Sequence, residues 1–295
     1  MQLNSARFSL IQLPSIVIRS FGLAILIGMT SVAGGDEGQT ETRGTDEIKN
    51  RFATLVSKVS IAPYGKPQSL FKLQSRPALS WSNPARQTTA GALFLWTSAG
   101  RPQVALCAYP SGEQVIDLEF QSLSDGPLSA DSEDRLLWQP GEAGVTWSAI
   151  DAVQPPARSA PSRLRQMRII ARQFSAKLVP PQKNPIELRL LETPVYRYEI
   201  SEDDATHNNS TAQSNSGNSA DGLIDGAIFA FVQGTDPEVL LMVEAYQENS
   251  QQKWRYALAR MSIVPTQVSR QSNLVWETQW AISRSDTPYY VYKSF

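Results

Sequence analysis

The sequence is poor in the residues that many enzymes use for chemistry, because its 295 residues contain one cysteine and one histidine. A lone cysteine, Cys107, excludes an internal disulfide framework. A structural zinc site needs about four cysteine or histidine ligands, so zinc is excluded too. The lone histidine, His207, lies in a run of Asn, Ser and Asp, where no rigid neighbour can orient an imidazole as a catalytic triad requires. We therefore expect neither histidine-dependent hydrolysis nor a bound metal.

The chain also lacks a charge excess and a long apolar run. Its formal net charge is −1 at pH 7, which gives no reason to expect nucleic acid as a partner. The apolar stretch Phe21–Met29 follows Arg19 and is shorter than the roughly 20 residues of a membrane-spanning helix. With the small residues Ser31 and Ala33 after it, this pattern indicates a signal peptide over residues 1–33. We expect export to the periplasm or the extracellular space, without stable membrane insertion after cleavage.

The main positive feature is an internal repeat. Residues 91–107, GALFLWTSAGRPQVALC, resemble residues 226–242, GAIFAFVQGTDPEVLLM, with six identities and no gap. A weaker match upstream relates residues 51–81 to residues 168–198. The repeat predicts one folding unit that occurs twice in the chain.

The repeat and the composition of the segments around it predict the domain organisation. A polar, Gly-rich lead-in over residues 34–45 is expected to be flexible. Half 1 then covers residues 46–153, a proline-rich linker covers 154–162, and half 2 covers 163–295. The polar stretch 201–222 has no counterpart in half 1, and we expect it to be a disordered insertion.

Each half is predicted to begin with a helix and to continue in strands. Apolar residues recur at helical spacing over residues 48–59 and again over residues 164–178, after which the period falls to two. The predicted fold class is α+β: two similar halves, each an amphipathic helix packed on an antiparallel sheet of about five strands, related by an approximate twofold axis. A β-sandwich with decorating helices is the alternative.

Three strings of the sequence carry a resemblance to known sequences: GALFLWTSAGRPQVALCAYP, RLRQMRIIARQF and GAIFAFVQGTDPEVLLMVEA. They resemble segments of exported bacterial proteins that have no assigned function. The resemblance covers most of residues 45–282 and implies a free-standing exported domain. It brings no catalytic residues that could be transferred to this chain.

Catalytic candidates are limited to carboxylates, since a carboxylate pair can work as acid and base without histidine. Glu244 follows five apolar residues on a strand predicted to be central, where loss of solvent raises a carboxyl pKa. Asp236 is a second candidate, although its place in a turn explains it already. Cys107 has apolar neighbours and is interpreted as a buried structural thiol.

Binding candidates are cationic and aromatic. The second helix has a basic face formed by Arg165, Arg168 and Arg172. Such a face is usually only the solvated side of an amphipathic helix; the alternative is that it binds an anionic polymer or a partner surface. Trp254 and Tyr256 belong to a large aromatic set, from which an exposed pair across the twofold axis could stack on a sugar or a peptide.

Two functional hypotheses follow. The favoured one is an exported, non-catalytic protein that binds a partner protein or an envelope polymer through the seam between its halves or through the basic helix. The alternative is a secreted or periplasmic hydrolase that uses carboxylates near Glu244. No glycine-rich phosphate loop precedes a helix, and no cofactor is expected.

Overall fold

The computed structural model describes residues 37–83, 88–112, 114–133, 135–200 and 222–294. The predicted signal peptide and nearly all of the predicted insertion 201–222, including His207, lie outside the described residues. Helix α1 begins at Glu37, so it extends into the segment 34–45 for which the sequence predicts a flexible lead-in.

Within the described residues the chain forms two helices, α1 (Glu37–Ser57) and α2 (Ala160–Ala171), and eighteen strands. The strands of half 1 are β1 (Val59–Pro63), β2 (Lys72–Leu73), β3 (Leu79–Asn83), β4 (Thr88–Ser98), β5 (Arg101–Pro110), β6 (Ile116–Ser122), β7 (Leu128–Ser132), β8 (Arg135–Trp138) and β9 (Ser148–Ile150). Those of half 2 are β10 (Phe174–Leu178), β11 (Ile186–Leu190), β12 (Tyr196–Arg197), β13 (Leu223–Gln233), β14 (Asp236–Glu248), β15 (Gln251–Arg260), β16 (Thr266–Arg270), β17 (Asn273–Thr278) and β18 (Tyr289–Ser294).

The predicted α+β class is wrong, because the protein is mostly β with several large antiparallel sheets. The prediction gave too much weight to the two helical patterns, which are easy to recognise. Segments with strand-like alternation of apolar and polar residues occupy far more of the chain. The alternative, a sandwich of sheets with decorating helices, is closer to the observed architecture.

Three sheets contain the described strands. The largest runs in the order β17-β16-β10-β11-β13-β14-β15-β9, with β12 also paired to β13. The second runs β18-β6-β5-β4-β2, with β3 also paired to β4. A small sheet has the order β1-β7-β8.

Strand pairing repeats between the halves. The meander β4-β5-β6 recurs as β13-β14-β15, and Phe94 pairs with Leu106 as Phe229 pairs with Leu241. The edge strands are exchanged between the halves: β18, at the end of half 2, pairs with β6, and β9, at the end of half 1, pairs with β15. Each half thus supplies a strand to the sheet of the other.

The core consists of three apolar layers. One lies between α1 and the six-stranded sheet, and one lies between α2 and the nine-stranded sheet. The third, which we call the seam, lies between the two large sheets and includes Leu95, Cys107, Ile228 and Met242. Along β14, Leu241 faces the α2 layer and Met242 faces the seam, so an uninterrupted apolar run covers both faces.

Candidate functional site

Glu244 lies towards the end of β14, and its side chain is completely buried. Its Oε1 atom accepts hydrogen bonds from Arg101 Nε at 2.8 Å and from the Tyr198 hydroxyl at 3.0 Å. Its Oε2 atom accepts a hydrogen bond from Arg255 Nε at 2.8 Å. We call these four residues the Glu244 cluster. Arg101 reaches it from β5 of the six-stranded sheet, so the cluster joins the two large sheets.

Asp125 and Trp147 support the two arginines of this cluster. Arg101 Nη1 donates to Asp125 Oδ2 at 2.7 Å, and Trp147 Nε1 donates to Asp125 Oδ1 at 2.6 Å. The centre of the Trp147 ring lies 5.0 Å from the guanidinium carbon of Arg101 and 4.5 Å from that of Arg255. Cation–π contact and ion pairing therefore hold both guanidinium groups in place.

Within the Glu244 cluster, Arg101 and Tyr198 are held in their protonated forms, because the pKa of each is raised. Burial by itself would lower the pKa of Arg101, but the charge of Glu244 and the hydrogen bond to Asp125 outweigh it, so the pKa rises. Burial and the charge of Glu244 raise the pKa of Tyr198, which therefore keeps its proton. Both oxygens of Glu244 are occupied by donors from within the protein, which is the arrangement of a structural carboxylate.

The structure does not bring the two catalytic candidates together. Glu244 pairs with Gly226, whereas Asp236 pairs with Gln233 at the opposite end of β14. Glu244 lies eight residue steps after Asp236, a separation of about 26 Å at roughly 3.3 Å per step. A carboxylate pair that shares one substrate cannot be built from these two residues.

Two of the arginines in or next to α2 form ion pairs within the protein, and the pair that Arg172 forms lies at the surface. Arg172 Nη2 donates to Glu192 Oε2 at 3.0 Å, and Arg168 is half-buried. Arg163 Nε, one turn earlier, donates to Asp225 Oδ2 at 2.7 Å. Arg165 and Arg172 are both exposed, so of the three predicted binding residues these two are open to a partner.

Trp254 and Tyr256, predicted as binding residues, are buried on the α2 side of β15. Trp254 Nε1 donates to the carbonyl oxygen of Gln154 at 3.0 Å, and the Tyr256 ring packs edge-on against Phe174. Neither ring presents a surface to a partner, because core packing accounts for both. Cys107 is likewise buried in the seam, and burial raises the pKa of its thiol.

A cavity of about 370 Å³ lies where the two halves meet. Half 1 contributes Gln121 from β6 and the loop 143–146, and half 2 contributes the end of β15, the end of β17 and the approach to β18. The half 2 lining consists of residues 258–260, Trp276, Thr278, Ala281, Ile282 and residues 287–289. We call this space the seam cavity.

The seam cavity opens beside exposed apolar side chains. Ile282 lines it and is 77% exposed, and the neighbouring Trp280 is 50% exposed. Arg260 is the one charged residue in the described lining. Its guanidinium group donates to the carbonyl oxygens of residues 262, 264 and 279 and lies 5.0 Å from the Tyr289 ring. The cavity thus has one anchored cation and largely apolar walls.

No cluster of three or more Cys, His, Asp or Glu side chains suited to a metal ion occurs in the part of the chain that the structure describes. None of the described helices is both long and apolar enough to cross a membrane. Comparison with known proteins gives no match: no family model fits the chain, and no curated protein or solved structure is similar to it. Function must therefore be argued from the geometry.

Sequence reasoning missed the seam cavity. Its lining comes from segments far apart in the chain, and the loop 143–146 carries no motif. One difference between the halves lies in this lining: Gln121 of half 1 corresponds in the repeat to the smaller Ala259 of half 2. That correspondence becomes visible only when the strand register is known.

Proposed function

We propose that this protein is an exported, non-catalytic binding protein that takes up its ligand in the seam cavity. The observation that carries the proposal is a cavity of about 370 Å³ bounded by both halves, with the 77% exposed Ile282 in its lining. Ligand sites are typically concave, mostly apolar and fitted with a few fixed polar groups.

The proposed ligand is a protein segment or an envelope polymer of low charge. Arg260 supplies one positive charge to the described lining, which suits a carboxylate or a carbonyl group better than a polyanion. Export is proposed from the N-terminal sequence pattern, and the partner would then be met in the periplasm or outside the cell.

The geometry supports the hydrolase alternative less well. A general acid or base must come within hydrogen-bond reach of its substrate. Glu244 is fully buried, and Arg101, Tyr198 and Arg255 occupy its oxygens. A substrate could reach this carboxylate only after the ion pairs between the sheets had opened.

A thermal-shift screen tests the proposed function. Peptides, peptidoglycan fragments and neutral oligosaccharides are added separately to the mature protein, and the melting temperature is measured. A ligand present at 100 times its Kd stabilises the folded state by about 2.7 kcal/mol, which is readily seen as a shift. If none of the three classes produces a shift, the seam cavity is not a ligand site.

Two tryptophan substitutions localise any shift that is found. Ala143 is exposed and lines the cavity, so Ala143→Trp is expected to cover its opening without disturbing the core. Glu142→Trp places the same side chain at an exposed neighbour that does not line the cavity. The shift should disappear in Ala143→Trp and persist in Glu142→Trp; equal shifts in both variants would locate the ligand elsewhere.

A further inference from the structure

The two halves differ at one sheet edge. In half 1, β18 pairs with β6 over Ile116–Gln121, and Ser122 N donates to Pro288 O at 2.8 Å. In half 2, β9 pairs with β15 only over Trp254–Tyr256. The last four residues of β15, residues 257–260, have no strand beside them on that edge among the described residues.

The strand register identifies the corresponding residues. Leu106 pairs with Phe120 on β6, and Leu241, its counterpart in the repeat, pairs with Leu258 on β15. Phe120 thus corresponds to Leu258, and Ser122 corresponds to Arg260. In half 1 these positions pair with β18 and with Pro288 before it. In half 2 no described strand pairs with them, so we call this the open edge of β15, although Leu258 is only 4% exposed.

Leu258 and Arg260 direct their backbone N–H and C=O groups to the open edge. Alternate residues of an antiparallel strand bond to opposite neighbours, and Met261 N donates to Glu238 O on β14. Residues 258 and 260 therefore face away from β14. Within the described ranges, no backbone hydrogen bond reaches either residue from the open side. Unpaired strand groups of this kind are a template for another strand.

The seam cavity borders the unpaired end of β15. Residues 258–260 form one wall, and the loop 143–146, which leads into β9, forms another. This loop packs against the end of β6 and the residues after it, since Gly144 N donates to Ser124 O at 2.9 Å. A Cβ atom on Gly144 would lie 2.0 Å from Ser122 O, so the loop is packed tightly against half 1. In half 1, the corresponding lane beside the sheet is filled by residues 288–291.

We propose that the seam cavity binds an extended peptide segment, which adds to β15 as an antiparallel strand beside Leu258 and Arg260. This inference rests on the proposed function and names its ligand class. Strand addition derives affinity from main-chain hydrogen bonds and specificity from pockets for alternate side chains. Ala259 stands where half 1 has Gln121, and Trp276 and Ile282 line the space, so the segment carries bulky apolar side chains.

The internal repeat supplies the probe. The protein's own residues 287–291, Thr-Pro-Tyr-Tyr-Val, fill the equivalent lane in half 1, and a fluorescein-labelled peptide of this sequence is titrated into the mature protein by fluorescence anisotropy. Because Ser122 N donates to Pro288 O, alternate residues bond in the same direction, and Tyr290 exchanges hydrogen bonds with Phe120.

Backbone methylation separates strand addition from other contacts. The peptide N-methylated at Tyr290 loses its inward N–H group, and the peptide N-methylated at Tyr289 loses an outward one. We expect the first to bind at least about tenfold more weakly than the unmodified peptide, because a buried carbonyl is left unpaired, and the second to bind nearly as well. Equal affinities for the two methylated peptides would overturn the proposal.

Amide hydrogen exchange locates the peptide. In the free protein, the amides of Leu258 and Arg260 are expected to exchange at least about tenfold faster than those of Phe120 and Ser122. Saturating peptide should protect Leu258 and Arg260 and leave Phe120 unchanged. Protection of Leu258 in the free protein would mean that the edge is already closed, by β9 or by a second copy of the chain, and the proposal would be wrong.

A peptide selection covers the case in which this probe sequence binds poorly. Random heptapeptides are displayed, selected on the wild-type protein and counter-selected on Ala143→Trp. Selected peptides that protect the amides of Leu258 and Arg260 support the proposal. If neither the probe nor any selected peptide protects them, strand addition is refuted. A saccharide or peptidoglycan fragment that still binds the cavity would leave the proposed function standing, whereas the absence of any cavity ligand would end both.

Discussion

Gly91 and Gly226 are identical in the two copies of the repeat because an aromatic ring lies directly over each of them. A Cβ atom on Gly91 would lie 2.2 Å from Trp81 Cε2, and one on Gly226 would lie 2.4 Å from Tyr198 Cε2. Both distances are far shorter than van der Waals contact. Here a sequence identity has a local steric cause.

Replacing Gly91 by alanine should therefore destabilise the protein. Overpacking of a well-packed core costs typically 1–3 kcal/mol, and we expect a loss of about that size in the free energy of unfolding measured in urea. Gly126→Ala is the matched control, because no atom lies within 4 Å of its Cβ position. Equal stabilities for the two variants would contradict the steric interpretation.

The buried side chain of Glu119 is expected to make the stability of the protein depend on pH. Burial raises its pKa well above the usual value, and the negative charges of Asp236 and Glu238 add to the effect, while a hydrogen bond from the Tyr289 hydroxyl and the charge of Arg260 oppose it. A carboxyl whose pKa is higher in the folded state stabilises the protein most below its unfolded pKa of about 4.3. That contribution is lost as the pH rises through the folded pKa.

The Glu119→Gln variant should remove this dependence. The free energy of unfolding of Glu119→Gln, relative to wild type, is expected to rise as the pH is raised from 5 to 8. The rise is about 1.4 kcal/mol per pH unit, and it stops once the pH exceeds the folded pKa of Glu119. Urea unfolding at several pH values checks this. Glu133→Gln serves as a control without pH dependence in this range, because a hydrogen bond from Lys58 lowers the pKa of the exposed Glu133, whose contribution is lost only as the pH falls through that lowered pKa. A constant difference between wild type and Glu119→Gln across this pH range would contradict the prediction.

At the scale of elements, the exchanged strand β18 is an edge strand, because β6 is the only described strand that pairs with it. On its outward side, Val291 N donates to the Ser283 hydroxyl at 2.8 Å. Its even-numbered residues bond to β6, since Ser122 N donates to Pro288 O, and its odd-numbered residues face away from it. Tyr292 lies opposite Leu118, and Lys293 lies opposite Asp117. Neighbouring positions of the same strand therefore differ in whether their N–H group belongs to the sheet.

Proline substitutions test this difference. Tyr292→Pro removes an N–H group that bonds to β6 and should cost about 1–3 kcal/mol more than Tyr292→Ala, which removes the same ring but keeps the N–H. Lys293→Pro, which loses an outward N–H, should stay within about 1 kcal/mol of Lys293→Ala, because proline is tolerated at an outward edge position. Urea unfolding of the four variants measures both differences. Equal costs at the two positions would show that β18 is not bonded as described.

At the scale of the molecule, the exchange of β9 and β18 makes the halves interdependent. Each large sheet has an edge strand that comes from the other half of the chain. The seam is also shared, since it buries Leu95 from one sheet and Ile228 from the other. Apolar burial of this extent is lost when either half stands alone.

Two fragments, residues 37–153 and 154–295, should therefore fail to fold separately and should assemble when mixed. Far-UV circular dichroism and sedimentation are expected to show disordered or aggregating fragments alone and a 1:1 folded complex from the mixture. A cooperatively folded, monomeric fragment 37–153 would contradict this interdependence.

The sequence predicted part of this structure through local patterns. The repeat of residues 91–107 at 226–242 corresponds to the repeated hairpins β4-β5 and β13-β14. The uninterrupted apolar run at Val239–Val243 indicated a strand covered on both faces, and burial confirms it. The predicted fold class was wrong because a helical stripe can be recognised within about a dozen residues, whereas the extent of the sheets depends on pairing between distant strands.

The sequence alone determined which segments are extended, apolar and repeated. The patterns that carry this information, such as apolar alternation and the glycines shared by the two copies, lie within a single strand or turn. Tertiary structure alone decided where those segments pair. It placed Glu244 among Arg101, Tyr198 and Arg255 and buried Trp254 beneath α2. It also left residues 257–260 paired with β14 on one edge and with no described strand on the other. These outcomes depend on strand register and on contacts between residues as many as 143 positions apart, for which no local pattern of side chains carries a signal.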